Sequence, residues 1–229
     1  MLRRVKSLQK QVNARKRAFS HVWWMSSTWQ TGVEEVLTEA ARQGLTFGAL
    51  DTEYRVDAGT GVVLTEVGFS CYRQGEFYDY HYAVAGGKGR RSKKFNHGVT
   101  HYYPLKKFLL EELRRVTGQA DLILFWRKDN DLRALRTMGF ELPGNKVVDV
   151  VEWKTPTEGE AGGTVSYYSL KKFCRLQGVR LSRAHNAGND AHALLDAVLH
   201  ALGLRGDSRA GTEGDTADAP DVRLGGSRP

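Results

Sequence analysis

A chain of 229 residues with 41% hydrophobic content is long enough to build one sizeable core. No apolar run approaches the roughly 20 residues needed to cross a membrane. The two cysteines, Cys71 and Cys174, argue against a disulfide framework and suit a reducing, intracellular setting. A net charge of +8 points to a polyanionic partner, yet seven Lys/Arg and no acid fall within residues 1–33, leaving a net +1 for the remainder.

Residues 1–32 form a basic, acid-free start in which Leu2, Val5, Leu8 and Val12 share one side of a helical wheel. Three readings fit it equally: an organellar (mitochondrial) presequence, a basic arm holding nucleic acid, or a frayed terminus. Without import, the address is cytoplasmic or nuclear. Trp23, Trp24 and Trp29 follow as candidates for packing this segment onto the domain. Val33, Val36, Leu37, Ala40 and Ala41 then predict a helix closed by Gly44. Leu45 to Leu50 reads as a buried strand that ends on two acids, Asp51 and Glu53. Val62–Cys71 and Glu76–Val84 read as further strands joined by Gly-containing turns, an antiparallel meander of three. In the third, Tyr78, Tyr80 and Tyr82 lie opposite Phe77, Asp79 and His81.

The loop Gly86–Lys94 carries five cations, Arg90, Arg91, Lys93 and Lys94 among them, and is a candidate for phosphate contact. Pro104 to Val116 predicts a helix and Asp121 to Trp126 a strand covered on both faces. Asn130 is placed to cap a helix beginning at Asp131. Lys146 to Val151 reads as a strand, and Thr155–Gly163 as a surface loop. A helix opened by Ser166 or Ser169 and a last helix from Ala191 to Leu202 complete the order. Beyond Gly206 the composition is that of a disordered tail. This pattern gives one α/β layer domain over about residues 33–204.

Asp51 and Glu53 are two residues apart, so a strand places both on one face. Paired acids at a buried strand repel and are costly to desolvate unless a cation lies between them. Asp131 and Asp190 each open a helix, where an acid also suits the helix dipole. Four acids converging on one sheet edge would hold two hard divalent ions, Mg²⁺ or Mn²⁺, about 4 Å apart, as in two-metal phosphodiester hydrolysis. A neutral His185 nearby would take the proton of the attacking water.

Asp51-Thr52-Glu53, Asp131 within Asn130-Asp131-Leu132-Arg133-Ala134-Leu135, and His185-Asn186-Ala187-Gly188-Asn189-Asp190-Ala191 together resemble the three motifs of the DEDDh 3′–5′ exonucleases. That branch of the RNase H-like superfamily includes RNase T and oligoribonuclease. The third string is similar to a eukaryotic subgroup that includes fungal silencing-associated exonucleases. The resemblance spans about residues 45–203 and implies a three-layer RNase H-like domain. Its sheet would be mixed and five-stranded, an antiparallel meander plus parallel strands, with helices on both faces. It implies two metal ions on Asp51, Glu53, Asp131 and Asp190, with His185 as general base. The substrate would be single-stranded RNA or DNA with a 3′ end, and the product nucleoside 5′-monophosphates. Where many relatives have Gly-His-Asn before the second-motif acid, this chain has Phe125-Trp126-Arg127. The alternative is an RNase H-like nucleic-acid-binding scaffold with little or no turnover, but such a module is expected to have lost a carboxylate. A zinc hydrolase is disfavoured because neither His-Glu-x-x-His nor Cys-x-x-Cys occurs.

Overall fold

Alternation along the first strand decides which side of the sheet each functional residue serves. The computed structural model describes residues 32–59, 61–84, 94–103, 106–153 and 169–205. Strand β1 (Phe47–Asp57) sends Phe47 and Ala49 into one core and Leu50 into another, as period-two side chains must. The first core is closed by helix α1 (Val33–Arg42), the short α4 (Leu170–Leu176) and α5 (Ala187–Ala201). The second is closed by α2 (Lys106–Thr117) and α3 (Lys128–Thr137). Between them runs one mixed sheet with β2 (Gly61–Arg73), β3 (Glu76–Val84), β4 (Thr100–Tyr103), β5 (Leu122–Phe125) and β6 (Val147–Asp149).

The strand order is β4-β3-β2-β1-β5-β6. The meander β1–β2–β3 is antiparallel, whereas β5 joins β1, β6 joins β5 and β4 joins β3 in parallel. This is the RNase H-like arrangement, with six strands among the described residues rather than the expected five. The strand that the sequence concealed is β4, whose partner register runs from His81↔Thr100 to Val84↔Tyr103. The helix expected from Pro104 begins at Lys106 among the described residues, and the strand expected over Lys146–Val151 is only three residues flanked by 3-10 turns. The expectations for residues 1–31, the Thr155–Gly163 loop, Ser166, and the tail beyond Gly206 lie outside the described residues.

Helix α5 lies directly on β2. A Cβ on Gly68 would stand 2.0 Å from the Ala187 carbonyl oxygen and 2.4 Å from the Gly188 nitrogen. Backbone cannot step aside as a flexible side chain can, so Gly68→Ala must displace the start of α5. Its denaturation midpoint is expected to fall by the equivalent of roughly 1–3 kcal/mol or more, as for other overpacked sites. Gly59→Ala, where a Cβ meets nothing within 4 Å, should stay within about 0.5 kcal/mol. Equal midpoints for the two variants would refute the close approach.

Candidate active site

Because Phe47 and Ala49 face the α5 side, Asp51 and Glu53 continue along the same face. They do not end the strand as expected. β1 runs on to Asp57, while its pairing with β5 stops at Ala49, so the two acids occupy a stretch of β1 beyond the end of β5. Opposite them Thr65 is an extra residue on β2, since Glu53 pairs with Glu66 and Tyr54 with Leu64. The Thr65 hydroxyl donates to the Glu53 carbonyl oxygen at 2.9 Å. A bulge here bends the ladder at the residue that carries the second acid. Asp190, in the first turn of α5, completes a group with Asp51 and Glu53 whose ligand oxygens all lie within 4.8 Å of one another.

Asp131 reaches the same region from the opposite helix layer and is not a member of that group of three. Thr52 points to the α3 side, where its backbone N–H donates to Asp131 Oδ1 at 3.0 Å and its hydroxyl at 2.6 Å. Asp131 thereby satisfies a β1 amide that lies past the last paired residue of β5. Helix α3 begins at Lys128 rather than Asp131, and its cap is not Asn130. Asp149, at the end of β6, accepts from the Arg127 N–H at 3.0 Å and the Lys128 N–H at 3.2 Å. Arg127 turns the chain with a left-handed φ of 63° to present those donors.

Burial pushes the Asp51 carboxyl well above its ordinary range, and the charges of Asp131, Asp190, Glu53 and Glu66 push it further. Burial likewise raises Asp131 to about 7, against the opposing hydrogen bonds from Thr52. Asp129, two residues earlier, is exposed.

The third-motif residues are held by a buried network that the spacing alone did not reveal. The Asn186 side chain caps α5 by accepting from the Asn189 N–H at 3.0 Å, and its amide donates to Glu66 Oε2 at 3.5 Å. Glu66 is also 2.9 Å from His81 Nε2, whose other ring nitrogen meets the Thr100 hydroxyl at 2.8 Å. Asn189 fastens the preceding loop, accepting from the Asn96 N–H at 2.9 Å and donating to the Lys94 carbonyl at 3.2 Å. At Gly188 a Cβ would stand 2.7 Å from the Phe95 ring, so a glycine lets that loop sit on the helix. His185 is exposed, with a left-handed φ of 66°, and its backbone N–H donates to Asp190 Oδ2 at 2.9 Å. The string His185–Asp190 is therefore an anchored turn, with the His side chain outside it and the Asp inside.

Of the proposed phosphate-contacting residues, Lys94 is exposed, while Arg90, Arg91 and Lys93 lie outside the described residues. Trp126 stacks on Phe173 at 5.2 Å between ring centroids. A second group, Asp79, His97 and His192, also has ligand atoms within 4.8 Å of one another. There Asp79 Oδ1 accepts from the Ser70 hydroxyl and sits 2.9 Å from His192 Nδ1, and the two imidazoles stack at 3.6 Å. This group fastens β3 to α5. The all-carboxylate group of Asp51, Glu53 and Asp190 is the one whose donor chemistry fits a hard divalent cation.

No curated protein matches the chain. Among solved structures, the Neurospora crassa Pan2 catalytic unit (protease and nuclease domain) aligns at 13% identity with a TM-score of 0.48, covering 69% of this chain. The chain spans only 27% of that one. The Aedes aegypti Nibbler EXO domain aligns at 14% identity with a TM-score of 0.39, covering 75% of this chain and 85% of its own. Residues 89–201 match the DEDDh_C family, described as the DNA polymerase III subunit epsilon-like C-terminal domain. The chain is thus DEDDh-like over the stretch that supplies Asp131, His185 and Asp190.

Proposed function

We propose that this protein is a metal-dependent exonuclease that hydrolyses single-stranded nucleic acid from its 3′ end, releasing nucleoside 5′-monophosphates. The observation that carries the reading is the meeting of Asp51 and Glu53 from β1 with Asp190 from α5, with Asp131 alongside. Three neighbouring carboxylates, one of them strongly desolvated, make a costly arrangement that a divalent cation relieves. Asp51, Glu53 and Asp190 would hold one ion and Asp131 would help to hold a second. Bound Mg²⁺ or Mn²⁺ would supply charge neutralisation at the attacking and leaving oxygens.

The remaining work falls to the chain itself. Asp190 fixes the His185 backbone, which leaves the imidazole on the exposed side of the turn, where a substrate end can approach. His185 takes the proton from the attacking water as its oxygen bonds to phosphorus. The bond from phosphorus to the 3′ oxygen breaks, and that oxygen is protonated from solvent. Arg90, Arg91, Lys93 and Lys94 would contact backbone phosphates, and Asn189 fastens the Lys94 carbonyl. The third-motif string supports a likeness to the eukaryotic silencing-associated subgroup.

A 5′-labelled single-stranded RNA or DNA should shorten to a ladder from its 3′ end with Mg²⁺ or Mn²⁺, and remain intact with EDTA. Binding of both substrates without shortening in either metal would return the chain to the scaffold reading.

A further inference from the structure

A groove of about 740 Å³ lies between α4 and the segment that leads into His185. It is lined by Lys171, Lys172, Arg175, Arg180 and Arg183, with hydroxyls from Ser169 and Ser182, and no Asp or Glu is among the described lining residues. All five cations are exposed. Beyond residue 33 the chain nets only +1, so five cations in one groove represent a segregation of charge rather than a generally basic surface. On α4, Lys171 and Arg175 are four residues apart and Lys172 and Arg175 three, so like charges are stacked on one face at a cost of a few tenths of a kcal/mol per pair.

We infer that this groove carries the sugar–phosphate backbone of the strand whose 3′ end enters the carboxylate site, which rests on the exonuclease reading above. Guanidinium forks suit phosphate oxygens in a bidentate geometry, and the serine hydroxyls add donors of the same kind. No aromatic side chain is among the described lining residues, so the groove offers no stacking platform for bases. Its contacts are therefore with the backbone and carry no sequence information.

The groove is also joined to the site. Arg183 is two residues from His185, and both adopt left-handed backbone, with φ of 56° and 66°. The Ser182 hydroxyl accepts from Asn96 Nδ2 at 2.7 Å, and the Asn96 N–H is held by Asn189 at the start of α5. The groove wall and the third-motif turn thus share one set of anchors.

The test compares wild type with the triple variant Lys171→Ala, Arg175→Ala, Arg180→Ala. Affinity for a single-stranded 12-mer is measured in EDTA across a salt series, and turnover is measured on the 12-mer and on a dinucleotide. The variant is expected to bind the 12-mer about 10- to 100-fold more weakly at low salt. Its slope of log affinity against log salt should be shallower by up to about 2, at roughly 0.7 per lost phosphate contact. KM should rise on the 12-mer, while dinucleotide turnover stays at the wild-type value. Unchanged affinity and slope would overturn the groove assignment even if wild type degrades both substrates. Equal losses on both substrates would also overturn it, because the residues would then act at the reacting end. A wild type that degrades neither substrate, with the EDTA binding loss intact, would sink the exonuclease reading and leave a backbone-binding groove.

Discussion

Asp131→Asn is expected to abolish turnover and, in the metal-free protein, to raise the melting temperature. Both effects follow from the same buried charge. With its pKa raised from 3.8 to about 7 by burial, the folded state binds a proton that the unfolded chain would release. Such a group weakens the fold as pH climbs from about 4 to about 7, and the full penalty persists above that range. Asn cannot ionise, and its carbonyl can still accept from the Thr52 N–H and hydroxyl. The stabilisation should therefore be greatest above pH 7 and fade towards pH 4, at about 2–4 °C for each kcal/mol in a chain of this size. Mg²⁺ or Mn²⁺ should raise the wild-type melting temperature at pH 7.5 and raise that of the variant by less, since a ligand that binds only the folded state stabilises it and the variant would keep only the ion on Asp51, Glu53 and Asp190. Asp129→Asn, at an exposed position, should change neither activity nor stability appreciably. If the two phenotypes were exchanged, the second motif would be shifted by two residues.

His185→Ala is expected to lower turnover by about 10²- to 10⁴-fold, the usual contribution of a general base. The imidazole is exposed, and the contact with Asp190 belongs to the backbone N–H, which alanine retains. Histidine is among the residues enriched at a left-handed φ such as the 66° here and alanine is not, so a small loss of stability should accompany the change. A His185→Asn control, with a residue that tolerates this conformation, separates backbone strain from lost chemistry. Metal-dependent stabilisation should survive in both variants. Near-full activity in a normally folded His185→Ala protein would leave the reaction without this base.

Much of the site was legible because its residues are bound to local periodicity. Asp51 and Glu53 share a face by strand alternation, and the interval from His185 to Asp190 is a turn leading into a helix. What escaped was held across distance. Asp149 caps α3 from β6, so the helix begins three residues before the one that Asn130 would have capped. Glu66 and His81 pair between two strands behind Asn186, and each alone reads as an ordinary half-polar strand residue. Thr100 to Tyr103 offered little burial to betray a strand, since His101 and Tyr102 are exposed and the pairing partner lies nineteen residues upstream at His81. The basic groove was hidden because its cations alternate with apolar residues on a short helix and its far wall is irregular.

The concealed β4 also determines how the sheet ends. On one side the outermost strand is four residues long, and on the other β6 is three. Outer strands this short present few open amides and carbonyls in a row, so a second sheet finds little against which to zip. The long strand β2 is interior, and β1 is flanked on both sides from Phe47 to Ala49. The four residues that extend the sheet past β3 cover its His81–Val84 stretch and so shorten the edge open to strand addition there.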